Sequence, residues 1–202
     1  MKIRVLIAED QAMVRGALAA LLALEHDIEV VAQVAGGDQV VPAALEHRPD
    51  VALLDIEMPG MDGLAALAAL REALPSCRTL MLTTFGRPGY LRRAMDQGAY
   101  GFLVKDTPAS ELAGAIRRAA AGQRMVDPGL AAAALAEGSS PLSEREREVL
   151  GAAVGGATIA DIAARLFLSE GTVRNHLSAA IRKTGARNRA EAVNIAQQKG
   201  WL

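Results

Sequence analysis

The strongest constraint on the fold of this chain is a repeated alternation of short apolar runs with longer stretches of helical periodicity. Runs rich in β-branched residues occupy positions 3–8, 28–34, 51–54, 79–84 and 100–104. Each is followed by apolar residues at helical spacing, as in the segment from Met13 to Leu22. This alternation predicts an α/β fold, a five-stranded parallel sheet with right-handed crossovers and helices on both faces. In such folds ligands gather at the carboxyl ends of the strands.

Polar side chains follow four of the predicted strands: Glu9 and Asp10, Asp55, Thr83 and Thr84, and Lys105. Each has an ordinary structural explanation, since Asp and Thr often cap the next helix and a lysine after a strand is usually solvated. Together, however, the acids would lie within a few ångströms of one another. That arrangement is unfavourable unless a cation or a proton compensates the charge.

A magnesium ion is the cation that best fits this edge of the predicted sheet. Mg²⁺ accepts one or two carboxylates, a carbonyl and retained waters, and it leaves a position for a phosphate oxygen. An ionised Asp55 could then act as a nucleophile toward phosphorus, with the metal and Lys105 neutralising the equatorial oxygens and a threonine hydroxyl donating to them. The sequence therefore predicts that Asp55 accepts a phosphoryl group.

The N-terminal part of the chain resembles the receiver domains of two-component response regulators. The resemblance lies in Glu9-Asp10, the segment DIEMPGMDG that begins at Asp55, the strand end Leu82-Thr83-Thr84 and Lys105-Asp106, and it covers residues 1–122. It implies a CheY-like, flavodoxin-like fold. It also implies the site residues: Asp10 and Asp55 as Mg²⁺ ligands with the backbone carbonyl of Glu57, Glu9 acting through a water, and Thr83 and Lys105 contacting the phosphoryl group.

The same resemblance implies a switch residue. The aromatic position three residues before the lysine is Phe102, which lacks the hydroxyl that many relatives carry there. With Thr83, it would respond to phosphorylation. Phe102 is equally consistent with a plain core residue.

Residues 123–140 are predicted to be a linker between two domains. The segment contains Asp127-Pro128-Gly129 and ends near Gly138-Ser139-Ser140, with an alanine-rich stretch between them. These are helix-breaking signals around one potential helix. An ordered extra helix packed on the first domain is the alternative.

The tail, residues 141–202, has the pattern of a helix-turn-helix. Ser143 and Glu146 form a predicted capping box, and further helices are predicted at 158–165, near 171–183 and at 189–199. In the third of these four helices, Val173, Leu177, Ala180, Ile181 and Thr184 share a core-facing arc. The opposite side carries donors suited to the major groove, although a solvated helix would look similar: Arg174, Asn175, Ser178 and Arg182.

This tail resembles the DNA-binding domain of the LuxR, NarL and FixJ families over about residues 142–196. The resemblance implies that Arg174, Asn175 and Ser178 face bases, and that Thr172, Arg182 and Lys183 lie nearer the phosphates. Thr184 stands where relatives usually carry leucine, so looser packing is expected there. The final helix resembles the family's dimerisation helix, or it covers the domain's own core. A dimer would bind two half-sites about one helical turn apart.

Charge and composition agree with two domains that have different partners. Residues 1–140 hold 13 Lys and Arg against 17 Asp and Glu, whereas residues 141–202 hold 9 against 6. The single cysteine, Cys77, can form no internal disulfide and no zinc cluster, and is expected in the core. The longest uncharged runs are shorter than the roughly 20 residues that span a bilayer, and no leader precedes Ile3. A cytoplasmic protein without membrane insertion is expected.

The predicted function is phosphorylation-dependent transcriptional regulation rather than enzymatic turnover. A sensor histidine kinase would donate the phosphoryl group to Asp55, and a homodimer would then bind double-stranded promoter DNA. The segment TTFGRPGYLRRAM and the terminal KGW are similar to DesR-type regulators of membrane-lipid desaturation. Two alternatives remain. One is a haloacid-dehalogenase-type phosphatase with Glu57 as general acid, and the other is a DNA-binding protein whose receiver is a silent dimerisation module.

Overall fold

A computed structural model describes residues 2–84, 88–126, 129, 131, 132 and 140–202. The chain divides into two compact units. The first contains a single parallel sheet in the order β2-β1-β3-β4-β5-β6. The strands are β1 (Ile3–Ala8), β2 (Ile28–Val34), β3 (Val51–Asp55), β4 (Arg78–Thr83), β5 (Gly101–Val104) and β6 (Met125–Val126). The helices are α1 (Ala12–Ala23), α2 (Val40–His47), α3 (Gly63–Ala73), α4 (Pro88–Asp96) and α5 (Ala109–Ala120).

The central strand β3 shows why its sequence is apolar throughout. All five of its residues are buried, as expected for a parallel strand that is covered by helices on both faces. The core on one face joins Val5 and Ile7 of β1 and Leu53 of β3 to Leu112 and Ile116 of α5. The predicted α/β class with a parallel sheet is therefore confirmed. Cys77 is buried as expected, and burial raises its thiol pKa to about 12.

The strand number predicted from the sequence is wrong, because the sheet has six strands rather than five. The sixth, Met125–Val126, lies inside the segment predicted to be a linker and pairs in parallel with Gly101 and Phe102. The backbone amide of Met125 donates to the carbonyl of Tyr100 at 2.8 Å. Two residues at a sheet edge are too few to produce a recognisable alternation. Most of the remaining predicted linker lies outside the described residues.

The described part of the second unit contains four α-helices: α6 (Glu144–Ala152), α7 (Ile159–Leu166), α8 (Glu170–Thr184) and α9 (Arg189–Gln198). The capping box of Ser143 and Glu146 is present as predicted, and Thr158 with Asp161 forms a second one. Phe167 ends α7 in the left-handed conformation, and Ser169 caps α8 by accepting a hydrogen bond from the amide of Thr172. The turn between α7 and α8 therefore gives the predicted helix-turn-helix.

A hydrophobic core holds these helices together, and it includes Val149 and Leu150 of α6, Val173 of α8, and Ala192 and Ala196 of α9. The final helix thus covers the domain's own core, which was one of its two predicted roles.

Thr184 ends α8 and is half-buried. Its hydroxyl donates to the carbonyl oxygens of Ala180 and Ile181 at 2.8 and 3.0 Å.

Candidate functional site

The acidic residues that follow β1 and β3 come together at the carboxyl edge of the sheet. Carboxylate oxygens of Glu9, Asp10 and Asp55 all lie within 4.8 Å of one another. Glu9 is fully buried and Asp55 is only 2% exposed. The turn that carries two of these acids is held by Arg15 of α1, whose guanidinium donates to the carbonyl of Glu9 at 2.5 Å. The sequence predicted the clustering of the acids but not the role of Arg15.

Lys105 lies directly against two of these acids. It follows β5, and its backbone amide donates to the carbonyl of Thr83 at 2.8 Å. Its ammonium nitrogen is 2.7 Å from Oε2 of Glu9 and 3.0 Å from Oδ2 of Asp55. The single ammonium therefore bridges the ends of β1 and β3, and two buried carboxylates share one compensating charge.

The electrostatics of this cluster favour binding of a further cation. Burial raises the pKa of Asp55 above its usual range, even though Lys105 opposes the shift. Burial also raises the pKa of Glu9, and the negative charge of Asp55 adds to that shift. Burial acts to lower the pKa of Lys105, but hydrogen bonds with both acids outweigh it and raise that pKa. One positive charge thus undercompensates the acids at neutral pH.

A divalent cation fits the donor atoms that the site offers. Oδ1 of Asp10 is enclosed and has no hydrogen-bond partner among the described residues. Together with oxygens of Asp55 and Glu9, it forms an all-oxygen donor set, which suits a hard cation. Glu57, whose carbonyl was predicted as a further ligand, is exposed and lies two residues beyond Asp55. The acidic cluster is therefore compatible with a divalent metal site.

The two residues predicted to form a switch are both buried. Thr83 ends β4 and is 3% exposed, while Phe102 in β5 is fully buried. Phe102 also lines a cavity of about 210 Å³ with Val104, Thr107 and Met125. The burial of Phe102 agrees with an inward switch position and with a core role alike, so the switch stays a prediction.

A second candidate surface lies on α8, where three of the five residues of the predicted core arc are buried and Ile181 and Thr184 are half-buried. Val173, Leu177 and Ala180 are buried. Five of the six residues predicted to contact DNA are exposed: Arg174, Asn175, Ser178, Arg182 and Lys183. The guanidinium of Arg174 is 2.7 Å from Oε2 of Glu170, one turn earlier on the same helix. Thr172 is half-buried, and its hydroxyl lies 2.8 Å from that of Ser169 at the helix start.

The last predicted DNA contact, Lys183, is engaged within the domain. Its ammonium nitrogen lies 2.7 Å from Oε2 of Glu146, the residue that completes the capping box of α6. The sequence predicted Glu146 as a capping residue only. Its second partner is 37 residues away, and no local pattern signals such a contact.

Comparisons with known proteins agree with this division of the chain. Residues 5–117 match the family described as response regulator receiver domain, and residues 140–196 match the family of bacterial regulatory proteins of the luxR type. The chain is 44% identical to YvfU, an uncharacterized transcriptional regulatory protein of Bacillus subtilis, over 99% of this chain and 100% of that protein. It is 43% identical to the transcriptional regulatory protein DesR of the same organism, over 99% of both chains.

Solved structures show the same similarity. The response regulator ChrA of a heme-sensing two-component system is 35% identical, with a TM-score of 0.59 over 100% of this chain and 99% of that chain. The receiver domain of NarL from Mycobacterium tuberculosis is 35% identical, with a TM-score of 0.58 over 60% of this chain and 98% of that one. No helix in the described part of the chain is long and apolar enough to cross a bilayer.

Proposed function

Because this chain belongs to the response regulators of the NarL/FixJ type, with an N-terminal receiver and a C-terminal LuxR-type DNA-binding domain, we propose that phosphorylation of Asp55 controls its binding to promoter DNA. The family is one of phosphorylation-dependent transcriptional regulators. The observation that carries the assignment to Asp55 is the contact of its buried carboxylate with Lys105 at the carboxyl edge of the sheet. We take residues 1–122 with the β6 strand as the receiver, and residues 141–202 as the DNA-binding domain.

Phosphoryl transfer at Asp55 follows from the chemistry of the cluster. A carboxylate oxygen of Asp55 attacks the phosphorus of a phosphohistidine on a sensor histidine kinase. The new O–P bond forms as the N–P bond breaks, and the histidine nitrogen leaves with the electron pair. Lys105 then lies where it can neutralise an equatorial phosphoryl oxygen, and the Thr83 hydroxyl can donate to another. A protonated Asp55 would be a poor nucleophile, so Lys105 also serves by opposing the raised pKa.

Mg²⁺ is the cation that we propose for the acidic cluster. Asp10 and Asp55 would hold it directly with the Glu57 carbonyl, and Glu9 would act through a water. Bound there, it would supply the positive charge that one lysine leaves uncompensated.

A homodimer is the proposed consequence of phosphorylation, transmitted through Thr83 and Phe102. The solvent side of α1 supports self-association, because it carries no charged residue over its exposed positions. Met13 is 84% exposed, Leu21 is 41% exposed, and Leu24, directly after the helix, is 81% exposed. A second copy of the chain is the occupant that we propose for this apolar surface. Pairing two DNA-binding domains raises apparent affinity by about two to four orders of magnitude.

The exposed face of α8 is the proposed DNA-reading surface. Arg174 and Asn175 carry the donor groups that recognise guanine and adenine in the major groove, and Ser178 is small enough to allow close approach. Thr172 and Arg182 are proposed to contact phosphates. A cytoplasmic location would give this surface access to promoter DNA. The similarity to DesR assigns no physiological role to this chain, since YvfU is as similar to it.

The phosphorylation step is tested by intact mass and solution size after incubation with Mg²⁺ and acetyl phosphate. Wild type is compared with Asp55→Asn, which preserves side-chain shape. We expect one phosphoryl adduct and a dimer in wild type only. Absence of an adduct in both would make the receiver a silent scaffold. Release of phosphate over many turnovers would instead favour a phosphatase.

The DNA-binding step is tested by selecting bound sequences from a pool of random duplexes with phosphorylated wild type. We expect enrichment of two related half-sites about one helical turn apart. Asn175→Ala should bind random duplex nearly as well as wild type but lose the preference for the enriched sequence. Failure of phosphorylated wild type to bind any duplex would overturn the proposed function.

A further inference from the structure

Glu146 connects the first turn of α6 to the last turn of α8. Its Oε2 accepts a hydrogen bond from the backbone amide of Ser143 at 2.7 Å. The same oxygen lies 2.7 Å from the ammonium nitrogen of Lys183. The Glu146 side chain is 9% exposed and that of Lys183 is 38% exposed. One nearly buried oxygen therefore joins a helix cap to a cation on the candidate recognition helix.

Among the described residues, the last turn of α8 has few other hydrogen bonds or ion pairs with α6. Its own hydrogen bonds are internal: the Thr184 hydroxyl donates back to Ala180 and Ile181, and the Gly185 amide donates to the carbonyl of Arg182. These bonds end the helix but do not orient it. Apolar packing of Val173, Leu177, Ala180 and Ile181 holds one face of the helix against the core. At the C-terminal end, the Glu146–Lys183 pair is a polar contact that joins α8 to α6.

The neighbouring cation on α8 differs from Lys183 in its surroundings. Both residues are exposed, but no acidic side chain among the described residues pairs with Arg182. Lys183 already faces a carboxylate, and moving its ammonium to a phosphate would leave Glu146 nearly buried without its counter-charge. Removing the counter-charge from a nearly buried carboxylate lowers the free energy of unfolding by more than an exposed ion pair contributes to it. Lys183 is therefore much less available to DNA than Arg182.

Building on the proposed DNA-binding function, we propose that Glu146 is a positioning residue that holds Lys183, and with it the last turn of α8, in the orientation required to read DNA bases. Lys183 then acts through Glu146 rather than by neutralising a phosphate. The hydrogen bond from Lys183 is the main cause of the lowered pKa of Glu146, which agrees with a persistent ion pair at neutral pH. Arg182 supplies the phosphate contact at this end of the helix.

The test compares Glu146→Gln, Lys183→Met and the double variant in the full-length, phosphorylated protein. Glutamine keeps an oxygen for the Ser143 amide, so the cap of α6 is preserved while the charge is lost. Arg182→Met is the matched control, because it removes the adjacent cation from the same helix. Each variant is titrated with a random-sequence duplex and with the duplex that wild type enriches, across a range of salt concentrations at a temperature where each is fully folded.

A phosphate contact and a positioning role predict different slopes of log K against log salt. A phosphate contact contributes about −0.9 to the slope of log K against log salt, so Arg182→Met should reduce the slope by about that amount. Lys183→Met should leave the slope on random duplex at the wild-type value. Both Glu146→Gln and Lys183→Met should weaken binding to the enriched duplex by about five-fold, the effect of about 1 kcal/mol, and the double variant should lose no more than either alone. Lys183→Arg should restore most of the preference.

The proposal is overturned if Lys183→Met lowers the slope as Arg182→Met does, or if Glu146→Gln leaves binding unchanged or tighter. Equal losses on random and enriched duplex, without loss of preference, would indicate a purely structural pair and overturn it too. If Lys183→Met shows no unfolding transition, it is not folded. The DNA affinities of Glu146→Gln and Lys183→Arg then test the proposal by the same criteria. The proposed DNA-binding function fails separately, since it requires only that wild type binds duplex and that Asn175→Ala loses the preference.

Discussion

The ammonium nitrogen of Lys105 lies 3.0 Å from Oδ2 of Asp55, although the strands that position the two residues are not neighbours. Strand β4 runs between β3 and β5, so the long lysine side chain crosses the end of β4 to reach the acid. The same ammonium contacts Glu9 at the end of β1. One ammonium group thus pairs with acids at the ends of both β1 and β3.

Lys105→Met should strongly reduce phosphorylation of Asp55. The variant removes the cation that would neutralise a phosphoryl oxygen and that keeps Asp55 ionised against the effect of burial. Loss of one such charge-stabilising group reduces rates by on the order of 100-fold. The rate of adduct formation with acetyl phosphate, followed by intact mass, measures this. Arg4→Met, a substitution at the opposite end of β1, is the control and should react at the wild-type rate.

Asp55→Asn should make the receiver more stable at neutral pH in the absence of divalent cations. Burial raises the native pKa of Asp55 above its unfolded value of 3.8, so the native state binds more protons than the unfolded chain between these two values. Wild-type stability therefore falls as the pH rises through that window, and the cost is fully present above the native pKa. The asparagine removes it, which we expect to raise the Tm by roughly 2–4 °C at pH 7.5.

The increase in Tm of Asp55→Asn over wild type should become smaller toward pH 4, because wild-type Asp55 then takes up a proton. Thermal unfolding at both pH values with a chelator present measures the difference. Glu72→Gln, an exposed change on α3, should show no such pH-dependent gain. A less stable Asp55→Asn at pH 7.5 would mean that the attraction to Lys105 outweighs burial.

Mg²⁺ should stabilise wild type and should do so less for Asp10→Asn. The enclosed Oδ1 of Asp10 has no hydrogen-bond partner among the described residues, and a bound cation would satisfy it. A ligand at about 100 times its Kd stabilises the native state by about 2.7 kcal/mol. A titration of Tm with MgCl₂, at constant ionic strength set by NaCl, gives the shift. Equal shifts for both proteins would place the bound cation elsewhere.

The sequence predicted those parts of the receiver in which one physical pattern dominates. The residues of β3 are buried on both faces, so their run is continuously apolar and was recognised. The convergence of Asp55 and Lys105 followed because parallel strands share one carboxyl edge. Arg15 was missed because its hydrogen bond to the Glu9 carbonyl depends on one long side chain's rotamer.

Tertiary contacts of single residues explain the other differences between the sequence-based predictions and the structure. Strand β6 is held by edge pairing with β5, and neither Met125 nor Val126 signals this locally. The capping role of Glu146 was predicted because its partner Ser143 is three residues away. Its contact with Lys183 requires knowing how α6 packs on α8. The segment that suggested a DesR-type regulator includes residues 85–87, which lie outside the described residues.

Gly63→Ala should destabilise the receiver beside the phosphoacceptor. A Cβ at Gly63 would lie 1.9 Å from the carbonyl oxygen of Asp55, whereas a Cβ at Gly114 in α5 would meet nothing within 4 Å. The overlap at Gly63 involves backbone and cannot be relieved by a rotamer change, so a loss of about 3 kcal/mol is expected. Gly114→Ala should instead gain about 0.5–1 kcal/mol, since alanine favours a helix. Urea unfolding of both variants checks the contrast, and a stable Gly63→Ala would contradict it.

Glu170→Gln should tighten binding to DNA. Glu170 lies 2.7 Å from the guanidinium of Arg174 and places a negative charge on the face proposed to meet phosphates and bases. The exposed pair contributes only about 0.3–0.5 kcal/mol to folding, so the domain should remain folded without it. Releasing Arg174 and removing the repulsion should raise affinity for random duplex by about five-fold at low salt, and less at high salt.

The matched control for this prediction is Glu191→Gln on α9. It breaks another ion pair with the same spacing, that of the exposed Arg187 and the half-buried Glu191, away from the proposed reading face. We expect little change in DNA affinity there. The gain from Glu170→Gln should also disappear in an Arg174→Ala background, because it depends on the released guanidinium. Equal gains from Glu170→Gln and Glu191→Gln would show that only net charge matters, and would remove the support for α8 as the surface that contacts DNA.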